Sequence, residues 1–166
     1  MEKYPYRVIC LSLTFTLAGY MLGSVIFYLI NPVLGILYLI LCATTILIAL
    51  KLRCTYCYYY GKWCSFGFGK ISKLLFKKGD PKEFRNSRNV TITAIFSFGT
   101  LLLPFLGGLI LLITDFSILN LSVLVAYALI GVVPNFFIRG RVCENCEQGK
   151  LGCPTYEQMM KRKKEK

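Results

Sequence analysis

Long apolar runs alternate with short polar, basic segments along this chain. Four runs hold no Asp, Glu, Lys or Arg: Val8 to Ile30, Val33 to Leu50, Val90 to Thr114 and Phe116 to Ile138. Each is close to the roughly 17–25 residues a helix needs to cross about 30 Å of hydrocarbon. A helix flanking a water-soluble core carries a polar stripe at the 3.6-residue period, and none of these does. The pattern predicts an all-α integral membrane protein with four transmembrane helices, about 8–30, 33–50, 90–114 and 116–138. Only Asn31-Pro32 and Asp115 separate the runs within each pair, so the helices should form two tight antiparallel hairpins. The first run is longer than the h-region of a secretory leader and no A-x-A site follows it, so it reads as a retained helix. Neither end carries a lipidation motif.

Composition agrees, with 55% hydrophobic and only 17% charged residues. The 20 Lys and Arg then set an orientation. Lys3 and Arg7 precede the first run, ten lie between Lys51 and Arg88, and eight between Arg139 and Lys166. The connectors at Asn31-Pro32 and Asp115 have none. By the positive-inside rule both termini and the middle segment are cytoplasmic, in a multi-pass protein of the cell membrane. The net charge of +12 therefore points to a lipid bilayer with anionic headgroups, and no nucleic-acid partner is expected. In "GKISKLLFKKGD", Ile71, Leu74 and Leu75 share a helical face that Lys70, Lys73, Lys77 and Lys78 flank or oppose. That predicts a basic interfacial helix over 69–78. A plain basic loop is the simpler reading of the same charges, and "KRKKEK" reads as a solvated tail.

An ungapped shift of 89 residues superposes Gly19 on Gly108, Phe27 on Phe116, Asn31 on Asn120 and Tyr38 on Tyr127. It also superposes Cys54, Cys57 and Cys64 on Cys143, Cys146 and Cys153. The chain reads as a tandem duplication: repeat 1 over 1–89 and repeat 2 over 90–166, each a helical hairpin followed by C-x2-C-x6-C. An even number of spans per repeat inserts both copies the same way up, related by a pseudo-twofold axis along the membrane normal. Both cysteine motifs should then meet at the cytoplasmic face. The first is rich in aromatics (Tyr56, Tyr58, Tyr59, Tyr60, Trp63); the second carries Glu144, Asn145, Glu147 and Gln148, with Pro154 after its last thiol.

Clustered thiols in a reducing compartment point to metal or redox chemistry rather than to a disulfide framework. Two cysteines at i and i+3 can reach one ion from one turn, and thiolates suit Zn²⁺ and iron–sulfur clusters. The chain has no histidine, so mixed Cys/His zinc sites are excluded. Three arrangements follow. Cys54, Cys57, Cys143 and Cys146 make one Cys₄ zinc site, with Cys64 and Cys153 as extra ligands or a facing pair. Alternatively each triad holds its own ion or cluster. Or the C-x2-C pairs are redox dithiols, their pKa values lowered by nearby Lys and Arg. Zinc stands ahead of an iron–sulfur cluster because the ferredoxin spacing is not matched. Thiols that merely pack are the bland alternative, and it is the preferred reading for Cys10 and Cys42.

Pro104 and Pro134 should kink their helices and free carbonyls that neighbours must satisfy. Gly19, Gly23, Gly35, Gly99, Gly107, Gly108 and Gly131 suit close helix contact, and Asn135 suits the headgroup level. No ionisable side chain lies deep in a run, which argues against an ion-coupled pump. There is no nucleotide-binding loop, H-E-x-x-H or serine–histidine pair. The function expected is a membrane scaffold or interaction subunit with a structural zinc site and a possible cytoplasmic protein partner. The alternative is electron transfer or thiol redox with a membrane quinone.

Overall fold

The computed structural model describes residues 4–144, 146–154, 156–157 and 160–161. Lys3, Asn145 and the basic tail beyond Lys161 lie outside the described residues, as does the side chain of Asn135. All regular structure among the described residues is helical. The helices are α1 (Tyr6–Ile30), α2 (Pro32–Leu52), α3 (Phe68–Leu75), α4 (Ser87–Thr114), α5 (Ile118–Ala126), α6 (Val133–Glu144) and α7 (Glu147–Lys150). Short 3₁₀ turns cover Cys54–Tyr56 and Pro81–Arg85, and a π-helical turn over Tyr127–Val132 joins α5 to α6.

Three helices, α1, α2 with the turn that extends it, and α4, are long and apolar enough to cross a membrane. The fourth apolar run forms a shorter apolar helix, Ile118–Val132, which continues as α6. Its π turn lies just ahead of Pro134, which offers no N–H to the carbonyl of Ile130. The aligned position in α2 is Thr45, and α2 stays regular there.

Small and polar residues make up much of what the helices bury, beside a few large ones. The inward faces carry Ser12, Gly19, Gly23 and Ile26 on α1; Gly35, Tyr38, Cys42 and Thr45 on α2; and Thr100, Pro104, Gly107, Gly108 and Leu111 on α4. Large apolar side chains such as Met21, Ile36, Ile40, Phe98 and Ile110 point outward. Helices that meet in lipid gain from backbone proximity rather than from hydrophobic burial, so small residues take the seams. At Gly19 two helix backbones meet: a Cβ there would lie 2.9 Å from the Cα of Gly131.

The two hairpin turns differ in detail. Asn31 caps α2, its Oδ1 accepting from the Val33 N–H at 2.9 Å. Asn120 does not cap; Ser117 does, accepting from Leu119 at 3.3 Å, while Asn120 Nδ2 donates back to the Asp115 carbonyl at 2.8 Å. The repeat-related rings diverge too: Phe27 packs on Tyr38 with centroids 5.2 Å apart, whereas Phe116 is exposed.

Candidate functional site

Both C-x2-C pairs are closed by the same local turn. The Cys57 N–H donates to the Cys54 carbonyl at 3.3 Å, and the Cys146 N–H donates to the Cys143 carbonyl at 3.2 Å. The first turn begins as α2 leaves its apolar run, where Thr55 Oγ1 donates to the Lys51 carbonyl at 2.5 Å. Downstream, the Gly67 N–H donates to the Cys64 carbonyl at 3.0 Å, with Gly67 at φ +71°. The Gly69 N–H then points at Cys64 Sγ, 3.4 Å away. Gly69 has no room for a side chain, because a Cβ would overlap the carbonyls of Tyr59 and Lys62.

The two motifs meet, with the N-terminal segment between them. Tyr4, Ile9 and Tyr59 form a buried cluster, and Cys57, Trp63 and Cys64 of the first motif pack on it together with Val142 and Cys146 of the second. Polar bonds tie the same parts. The Tyr58 N–H donates to Gln148 Oε1 at 2.6 Å, and the Glu147 N–H donates to Tyr59 Oη at 3.3 Å. Tyr4 Oη donates to the Val142 carbonyl at 3.0 Å, and the Tyr4 N–H to the Trp63 carbonyl at 3.3 Å. Sequence reading passed over Tyr4 and Gln148 as links. The available signal was Gln148 itself, an uncharged polar residue among the exposed charges of its motif; it is buried.

Six thiols were expected to share this place, and the structure distributes them. Cys57, Cys64 and Cys146 line the cluster. Cys153 faces Arg53, whose Nη2 lies 4.0 Å from its sulfur. Arg53 is itself held by the Phe84 carbonyl at 3.1 Å and by the Phe84 ring, 4.1 Å from the guanidinium carbon to the ring centre. Cys54 and Cys143 open the two turns and are partly buried. Cys42 is buried among the helices and Cys10 is exposed. Among the described residues no three Cys, Asp or Glu side chains stand close enough to hold a metal ion without moving.

The electrostatics of the cluster favour a protonated Cys57 thiol. Burial pushes the Cys57 thiol up to about 12, and Cys64 and Cys146 add to the rise. A hydrogen bond from the Tyr59 backbone and the charge of Arg53 pull the other way without prevailing. The expectation that neighbouring cations depress the motif thiols therefore fails at Cys57, because desolvation outweighs them. Burial likewise raises Tyr4 and Tyr59 above the ordinary phenol range.

Comparison with protein-family models, with curated proteins and with solved structures finds no match for this chain.

Proposed function

We propose that this is a four-crossing membrane scaffold whose two cysteine motifs are stapled at the cytoplasmic face by a thiolate-bound metal ion, zinc before an iron–sulfur cluster. The observation that carries the reading is the junction itself, where the Tyr58 N–H meets Gln148 Oε1 at 2.6 Å and Cys57, Cys64 and Cys146 pack on one cluster. The same cysteine turn opens each motif, and its thiols would have to move together to converge on a soft ion.

The helical stretch 118–144 supports the fourth crossing. It begins beside the end of α4, packs against α1 and α4, and delivers the second motif to the first. The charge pattern supports a cytoplasmic location for that end. On this reading the metal would be held by four of Cys54, Cys57, Cys64, Cys143, Cys146 and Cys153. It would draw the cap of repeat 1 against that of repeat 2 and leave a basic surface for lipid or a protein partner. Each ligand must give up its proton to the ion, so affinity falls as the solution becomes more acid.

The test is metal content and an optical spectrum of detergent-purified protein kept free of oxygen. About one zinc per chain with no visible absorption is the expected result, as for a closed thiolate site. Cys57→Ser and Cys146→Ser should then lose zinc to a similar degree, since they sit on opposite motifs. Iron with sulfide and a broad visible band would replace zinc by a cluster and turn the reading to electron transfer. Metal-free protein with every motif thiol titratable would overturn it and leave dithiol chemistry with a quinone.

A further inference from the structure

Helix α3 is bound to the bundle by its smallest residues and turns its largest ones away. Gly69 and Ser72 are buried, Ser72 with 0% of its surface exposed. Ser72 Oγ donates to the Leu50 carbonyl at 3.3 Å, and the Gly61 N–H donates to the Gly69 carbonyl at 2.8 Å. These bonds hold α3 beside the last turn of α2, where a long apolar helix ends. Away from that contact Ile71, Leu74 and Leu75 are 40%, 83% and 56% exposed. At ~100° per residue these three form one stripe, and Lys70 and Lys73 fall on the next. The helix stops at Leu75, with Phe76 extended. Tyr60 Oη donates to the Phe76 carbonyl at 2.7 Å, and Lys77 and Lys78 follow as exposed residues.

Aromatic and basic side chains gather around this helix. Lys70 Nζ lies 4.6 Å from the centre of the Trp63 ring, and Lys62 Nζ lies 4.3 Å from that of Tyr58. Tyr6, exposed at the start of α1, meets Trp63 edge-on with centroids 5.8 Å apart. Tyr and Trp concentrate at the headgroup level, and Lys favours the phosphate layer of anionic membranes.

We propose that α3 is an in-plane anchor that docks on an anionic bilayer surface, with Ile71, Leu74 and Leu75 in the acyl boundary and Lys70, Lys73, Lys77 and Lys78 on lipid phosphates. The occupant is lipid rather than protein on two grounds. α3 is tethered at the end of a membrane-long helix, so its free face lies at headgroup depth. Its apolar stripe also borders a purely basic one, the arrangement of helices that lie in an interface.

The test uses the full chain in nanodiscs and its single tryptophan, Trp63. Matched discs carry an equal minority share of either phosphatidylglycerol or phosphatidylcholine brominated near the headgroup end of the acyl chain. Brominated phosphatidylglycerol should quench Trp63 about twofold or more beyond brominated phosphatidylcholine, and the preference should fall as salt is raised. Replacing Lys70, Lys73, Lys77 and Lys78 together by Gln should bring the two lipids to parity. The apolar stripe is read separately with Leu74→Trp in a Trp63→Phe background, where blue-shifted emission quenched by both brominated lipids is expected. Parity of the lipids in the unaltered protein would overturn the anionic preference. A water-exposed Leu74→Trp signal, quenched by iodide and untouched by bromolipid, would overturn the anchor and leave the face to a soluble protein partner.

Discussion

The hydroxyl of Tyr38 donates to the carbonyl of Thr100 across 2.7 Å, four residues before Pro104. In an unbroken helix that carbonyl would accept the N–H of residue 104, which proline lacks. Tyr127 donates to the next carbonyl along, that of Leu101, also at 2.7 Å. Gly23 makes the first of these bonds possible: a Cβ there would lie 2.8 Å from the Tyr38 ring and 2.9 Å from Pro104. Tyr38 thus supplies the donor that Pro104 withholds from the Thr100 carbonyl, as a proline inside a membrane-length helix requires of a neighbour.

Tyr38→Phe should therefore cost about 1–2 kcal/mol, the range for leaving a buried acceptor without its donor, toward the low end within a membrane. The same change in a Pro104→Ala background should cost clearly less, because the alanine introduced there restores a backbone N–H that can donate to the Thr100 carbonyl. A double-mutant cycle of unfolding in mixed micelles reads the difference. Equal costs in the two backgrounds would detach Tyr38 from the proline.

Gly19 and Gly99 should part company. Gly19 faces the backbone of Gly131, whereas a Cβ at Gly99 would find nothing within 4 Å. Gly19→Ala should destabilise by about 1–3 kcal/mol through overpacking. Gly99→Ala should be neutral or add up to about 1 kcal/mol of helix propensity. Thermal unfolding in one detergent suffices, and a harmful Gly99→Ala would mean that the seam is wrongly placed.

Gln148→Ala should loosen the second motif from the first, since the Tyr58 N–H loses the acceptor 2.6 Å away. The expected loss is about 1–2 kcal/mol of local stability. Faster tryptic cleavage after the exposed Lys150 would register it. Cleavage at the unaltered rate would show that the cluster around Tyr59 holds the motifs without this bond.

The Cys57 thiol should make the cap sensitive to alkali in protein stripped of metal. Its proton leaves near 9.0 in the ordinary range and near 12 when buried in the fold. Below 9.0 folded and unfolded chains both hold the proton, and its burial contributes fully. As the pH rises from there towards 12 the unfolded chain ionises first, so stability is lost across that window. Alkylation of Cys57, followed by mass spectrometry, should keep accelerating above the ordinary thiol range. A plateau before that range would show a depressed thiol and revive the dithiol reading.

The 89-residue register of the sequence illustrates how far residue pattern carries. Tyr38 and Tyr127 align, and a strict twofold would send Tyr127 to α1 as Tyr38 goes to α4. Both go to α4 instead. Position 15, the counterpart of Pro104, is Phe15, so α1 lacks the proline that marks α4. A short helix was legible in the stripe of Ile71, Leu74 and Leu75, but not its end at Leu75. A bond from Tyr60, sixteen residues earlier, holds the Phe76 carbonyl there.

What the sequence determined by itself was local or solvent-driven: helices where charge is absent, turns at Asn31-Pro32 and Asp115, and a cysteine knuckle wherever C-x2-C occurs. Such features depend on hydrophobicity and on bonds spanning a few residues. The tertiary structure alone decided which thiols share a cluster, that Tyr4 and Gln148 join the motifs, and that Cys57 is buried deeply enough to hold its proton. Those outcomes turn on desolvation and on contacts between residues 90 or more positions apart, such as Tyr58 with Gln148, and composition carries no measure of either.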